Sequence, residues 1–193
     1  MYIEDEVELI YPKDGDAGGT WIGSSSKDVL ICLMNGGFRN HMPASSYRKS
    51  RGLVVKDLLK SDEIAHTLTS YNLDGIEPFT LVVVDYSDEL TLYEFVWTGS
   101  KRHLFNIPLI PHIWSSSTLY DDATKKLRES WFQEWLSKQT NFNRSSIKEF
   151  HKTAGNGDST TDVLMKRNGG GTVSITSVQM QDTTIDFEYE AIV

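Results

Sequence analysis

Residues 17–37 read AGGTWIGSSSKDVLICLMNGG. Inside this stretch, Val29-Leu30-Ile31-Cys32-Leu33-Met34 is apolar without a break. The run is short, and Asp28 and the turn-forming Asn35-Gly36-Gly37 bound it, which favours a strand over a helix. An apolar run without alternation suits a strand covered on both faces, as in a layered fold. Trp21-Ile22-Gly23 reads as its partner strand, joined through Ser24-Ser25-Ser26-Lys27. Gly18-Gly19 ahead of Thr20 is a turn signal that lets Trp21 pack close to backbone.

Working outward, Val7 to Tyr11 is a short strand followed by the turn Pro12-Lys13-Asp14-Gly15. On the other side, Leu53, Val54, Leu58 and Leu59 fall at helical spacing and predict a helix over Ser50–Leu59. Ser61-Asp62-Glu63 caps a second helix reaching Thr69. Phe79–Tyr86, Leu90–Trp97 and Lys101–Asn106 form a meander of three strands. Asp121-Asp122 opens the clearest helix, ATKKLRESWFQEWLSKQ, with Leu127, Trp131 and Trp135 on one stripe. A fourth helix covers Ser146–Thr153, and Thr172–Val178 and Thr184–Tyr189 are closing strands joined by Gln179 to Thr183. Frequent hairpins without βαβ crossovers predict an α+β fold of mainly antiparallel sheets, and a helix-covered pair of stacked sheets would explain the doubly apolar strand.

The 193 residues suit one domain spanning the chain, long enough to bury about 70% of its unfolded surface. Cys32 is the single cysteine, so no disulfide can form within the chain, and a reducing compartment, the cytoplasm, is expected. With 27 acidic against 19 basic residues the net charge is −8, which argues against nucleic acid as a partner. No apolar run approaches the ~18 residues of a membrane span. The acidic opening MYIEDEVELIYPKDG has neither the basic region nor the apolar core of a signal peptide.

Four motifs in order carry a resemblance. AGGTWIG precedes the apolar strand; Tyr47-Arg48-Lys49-Ser50-Arg51-Gly52-Leu53-Val54-Val55 follows it; Ile113 to Tyr120 reads IWSSSTLY; and Thr172 to Ser177 reads TVSITS. Together they resemble the NRDE family, whose eukaryotic members carry the name Transport and Golgi organization 2. The resemblance runs from about Ile10 to Tyr189. It implies a four-layer αββα sandwich like that of the N-terminal nucleophile hydrolases. There a leading Cys, Ser or Thr attacks an amide carbonyl, with its own α-amino group as base. Family members typically open Met-Cys, with Asn-Arg-Asp-Glu about two dozen residues on. This chain opens Met1-Tyr2 and contains no Asn-Arg-Asp-Glu. The family's first strand and nucleophile are therefore expected to be missing, with no catalytic residue. An open sheet edge would then favour a homodimer, unless Val7 to Tyr11 takes the vacant place.

The resemblance directs attention to several side chains. Gly19-Thr20 is a conceivable self-cleavage junction, as is Gly171-Thr172, although a glycine turn accounts for both. Cys32 reads as a small core residue. The candidate ligand-binding set is Thr20, Trp21, Asn35, Gly36, Arg39, Arg48, Arg51 and Trp114. Backbone amides after the central strand could hold an oxyanion, and the arginines suit a carboxylate or phosphate. Trp114-Ser115-Ser116-Ser117 lacks a Gly-x-Ser-x-Gly elbow and reads as a polar turn. His41, His66, His103, His112 and His151 show no metal-ligand spacing, so neither metal nor cofactor is expected; His151 alone stands beside a glycine-rich loop. The expected function is a hydrolase-like scaffold holding a small anionic or acyl-bearing molecule without the terminal nucleophile. The rivals are an amide hydrolase with its Cys upstream of Met1 and a haem or lipid trafficking protein. No Cys-Pro or paired axial His pattern supports the haem reading.

Overall fold

The computed structural model describes residues 1–15, 17–181 and 184–192. Two compact units divide the chain, Met1–Leu119 and Tyr120–Val193. Among the described residues they hold four helices, a seven-stranded sheet and two two-stranded sheets, all pairings antiparallel. The protein is α+β with antiparallel sheets, as expected.

The first unit builds the large sheet from β1 (Tyr2–Glu4), β2 (Val7–Ile10), β3 (Ile22–Ser25), β4 (Val29–Asn35), β5 (Phe79–Asp85), β6 (Thr91–Trp97) and β7 (Arg102–Ile107). They lie side by side in chain order. Val7–Ile10 pairs with β3 through Leu9 opposite Ser25, and β1 pairs with it in turn. The β1–β2 turn places Asp5 and Glu6 at φ of 50° and 66°. Lys56 holds Glu4 at 2.8 Å and Lys60 holds Asp5 at 2.6 Å, which ties the turn to the helix α1 (Arg51–Leu59).

Register sets the core. Ile31, Val83 and Tyr93 form one row across β4, β5 and β6, and Leu33, Leu81 and Phe95 the next. Phe79 and Trp97 continue this face. Val54, Val55, Leu58 and Leu59 of α1 and Ile64 and Leu68 of α2 (Ile64–Ser70) join it in one buried cluster. The opposite face carries Leu30, Cys32, Met34, Val82, Val84 and Leu92, all half-buried. Both faces of β4 are thus apolar, and the more deeply buried one bears the helices.

α1 begins where the sequence places it. Ser50 is its cap, accepting from the Leu53 amide at 3.3 Å. Gly19 and Gly52 let the loop before β3 lie on this first turn. A Cβ on Gly19 would stand 2.5 Å from the Gly52 carbonyl carbon, and one on Gly52 would stand 2.9 Å from the Thr20 nitrogen. The Thr20 amide donates to the Gly52 carbonyl at 3.2 Å. The glycine pair is therefore a site of backbone contact rather than a loose turn.

The second unit contains α3 (Asp122–Lys138), α4 (Arg144–Thr153) and the hairpin of β10 (Ser174–Gln181) and β11 (Thr184–Ala191). A small hairpin, β8 (Lys166–Arg167) with β9 (Gly170–Gly171), lies before it. Asp121 caps α3 and Asn143 caps α4, the latter with a reciprocal bond from Ser146. Phe132, Trp135, Phe142 and Phe150 pack ring to ring, with centroids 5.2–5.8 Å apart. The closing strands run longer than expected: β10 continues through Gln179 to Gln181, and Gln181 stands opposite Thr184. Two residues of the expected Gln179–Thr183 connection, 182 and 183, lie outside the described residues.

Candidate functional site

The loop before β3, the end of β4 and the first turn of α1 surround a cavity of about 350 Å³. Its lining is Asp14, Ala17, Thr20, Trp21, Leu33, Asn35, Ser50, Arg51 and Gly52. Four of the eight expected binding residues meet there: Thr20, Trp21, Asn35 and Arg51. Its volume lies within the range of small-molecule sites, roughly 300–1,000 Å³.

Thr20 is buried, and its hydroxyl is occupied. Oγ1 lies 2.8 Å from the Pro12 carbonyl oxygen and 2.7 Å from that of Ile22, so its one proton serves either. The same oxygen accepts from the Ile22 amide at 3.3 Å. These bonds shape the turn into β3 and direct the hydroxyl proton to backbone carbonyls. Ser50, the other hydroxyl of the lining, is engaged as the α1 cap. Cys32 lies on the half-buried face of β4, and burial pushes its thiol up to about 11.

Arg51 is the cation of the cavity. Its Nη1 donates to the Pro78 carbonyl at 3.2 Å, and its Nη2 pairs with Glu77 Oε2 at 3.1 Å. Burial disfavours the charged guanidinium; Glu77, with Tyr47, opposes that effect. The Leu53 amide of the first turn of α1 is taken by the Ser50 cap, and the amides of Arg51 and Gly52 have no partner inside the helix. No acidic residue occupies that turn. The helix end, whose dipole favours an anion, and the Arg51 guanidinium, which is paired with Glu77, meet in a cavity that Asp14 also lines.

The remaining expected residues stand elsewhere. Gly36, at φ +87°, donates its amide to the Pro78 carbonyl at 3.0 Å, and its own carbonyl accepts from Thr80. A Cβ there would lie 2.2 Å from Ser117 Oγ, so this glycine serves close packing. Arg48 turns away, donating to the carbonyls of Asp74 at 2.8 Å and Asn72 at 2.7 Å. Arg39 is exposed, and its carbonyl accepts from Ser117 Oγ at 3.3 Å. Trp114 packs on His112 with ring centroids 5.2 Å apart, outside the cavity lining. The serines after it bond to backbone, Ser116 Oγ donating to Asn35 at 2.7 Å. Thr172 binds back to Met165 across the start of the small hairpin.

Sequence reading passed over Asp14, Ala17, Leu33, Ser50 and Gly52 as cavity residues, and it passed over Glu77. Ser50 and Gly52 were within reach, because they flank Arg51 in a motif already singled out. Glu77 carries no local signal, for it meets Arg51 only through the fold. Among the described residues no group of His, Cys, Asp and Glu could hold a metal ion, and no helix is long and apolar enough to cross a membrane.

The family model of Transport and Golgi organisation 2 matches residues 1–187. No curated protein matches the chain.

Proposed function

The chain belongs to the Transport and Golgi organisation 2 family, and from that premise we propose that its cavity beside α1 binds a small organic anion, a carboxylate or an acyl-bearing phosphate. The observation that carries this reading is Arg51, backed by Glu77 and directed with the first turn of α1 into a cavity walled by Trp21 and Leu33. Guanidinium and helix amides suit the anionic head, while Trp21 and Leu33 suit an apolar body.

Turnover is not part of the reading. Thr20 Oγ1 is engaged by backbone groups and Ser50 Oγ accepts from the Leu53 amide, and among the described residues no histidine or lysine shares that lining. The kinship with amide hydrolases that the family resemblance implies survives here as scaffold, with helices over antiparallel sheet in the first unit as its support.

Titration calorimetry with short-chain carboxylates and phosphomonoesters tests the proposal. Wild-type protein is expected to bind at least one of them. Arg51→Ala is expected to weaken that binding by about tenfold or more, the worth of a charge-assisted hydrogen bond. Binding unaffected by Arg51→Ala, or no binding by any of the panel, would overturn it.

A further inference from the structure

Behind Arg51 stands a second charged contact that the cavity itself does not use. Glu77 grips Arg51 with Oε2 and His41 Nε2 with Oε1, each at 3.1 Å. The three side chains are 17%, 22% and 18% exposed for Arg51, Glu77 and His41, so solvent screens their coupling only in part. His41 Nδ1 is buried and has no hydrogen-bond partner among the described residues. The ring is thus anchored through Nε2 alone. In its neutral form Nε2–H donates to Glu77, and protonation adds its charge beside the same carboxylate.

We propose that His41 and Glu77 are positioning residues that meter the positive charge Arg51 offers to an anion in the cavity. With His41 neutral, Glu77 and Arg51 cancel. With His41 protonated, the carboxylate is shared between two cations and the trio carries a net positive charge. An anion then binds more tightly, and by reciprocity its binding favours the protonated ring. Imidazole is the side chain that gains and loses a proton nearest neutrality, so the test spans both sides of neutral pH. Arg39, two residues before His41, is exposed, and other charged or titratable groups of this region have partners of their own. Tyr47 influences Arg51, and its hydroxyl accepts from the Ala44 amide. Asp14 lines the cavity, and its carboxylate accepts from the Ala17 amide at 3.0 Å. Lys49 pairs with Asp57, and Arg48 is fixed on the carbonyls of residues 72 and 74.

This inference rests on the anion-binding reading of the cavity, and its test separates the two. The probe is inorganic sulfate, whose charge is constant over the range used, measured by calorimetry between about pH 5.5 and pH 8. Wild-type affinity is expected to rise by about fivefold or more toward the acid end. His41→Gln keeps an amide within reach of Glu77 but cannot take the proton, and its profile is expected to be flat. Glu77→Gln releases Arg51 from its carboxylate and is expected to bind sulfate more tightly than wild type at about pH 8. An unchanged slope in His41→Gln would overturn the proposal while leaving the cavity reading intact. Sulfate binding that is absent, or that ignores Arg51→Ala, would overturn both. Proton NMR of His41 in the wild-type chain gives a test free of any folding defect. Its titration midpoint is expected to rise when sulfate is added, and an unmoved midpoint with sulfate bound would overturn the proposal.

Discussion

Gly19 and Gly52 show how two small residues fix the position of a cavity. Each faces the backbone of the other's segment, so an added methyl group meets atoms that no rotamer change can move aside. Gly19→Ala and Gly52→Ala are each expected to destabilise the protein by about 2 kcal/mol or more, read from urea unfolding, because overpacking here must shift backbone. Gly18→Ala makes a useful contrast. Its methyl group would enter open space, and only the strain of its φ of +67° would be felt. Cys32 provides a second expectation at this scale. A thiol pushed up to about 11 is almost entirely protonated near neutrality, so alkylation in the native protein should run about 100-fold or more slower than in the unfolded chain. Rapid native labelling would contradict its placement. The arginines mark how far single residues could be read from sequence. Arg48 and Arg51 stand three apart in one basic stretch, and nothing local separates them. The fold does, because Arg48 precedes the helix cap and finds the carbonyls of Asn72 and Asp74, while Arg51 opens the helix and faces the cavity.

At the scale of elements, α4 and β11 are joined by a ladder of charge. Arg144 pairs with Asp186 at 2.6 Å and lies 3.6 Å from Glu188; Lys148 bridges Glu188 and Glu190, both at 2.6 Å; Lys152 meets Glu190 at 2.5 Å. The geometry permits this because four helical residues rise about 6 Å, nearly the advance of two residues along a strand. Lys148 holds the Glu190 carboxyl below the ordinary glutamate range, with Lys152 assisting. A lowered carboxylate stabilises the fold above its unfolded value. That contribution is lost as the pH falls through the lowered folded value. Thermal melts should therefore show the hairpin unit weakening on acidification below the ordinary glutamate range, and Lys148→Gln should blunt that loss. The same variant should melt below wild type at low salt, with the gap closing near 1 M NaCl, where screening falls to about 3 Å. The Asp121 cap, the helix from about Ser50 to Leu59 and the β5–β6 hairpin were legible from sequence, since each has a local chemical mark. β1 was not: its turn uses Asp5 and Glu6 at positive φ, where Asn-Gly is the usual signal. Asn168-Gly169 does carry that signal, with φ of +86° at Gly169, and the short β8–β9 hairpin around it could have been read.

For the molecule as a whole, the net charge of −8 makes a phosphate backbone a poor partner. Retardation of duplex DNA at about 0.15 M salt is not expected, and a salt-dependent shift would contradict that reading. The seven-stranded sheet is a meander in which every strand pairs with its neighbours in sequence, so its contacts are local for a β structure. One connection is long. Residues 36–78 leave the sheet after Asn35 and return at Phe79, and those two residues stand opposite each other across β4 and β5. That excursion contains α1, α2, Ser50, Arg51, His41 and Glu77. The chemistry is thus hung from a frame that closes beneath it at a single cross-strand pair. Lineages could rewrite the hanging segment, in length or in charge, without re-threading any strand. The residues that line the cavity from this segment are free to drift while the sheet stays the same.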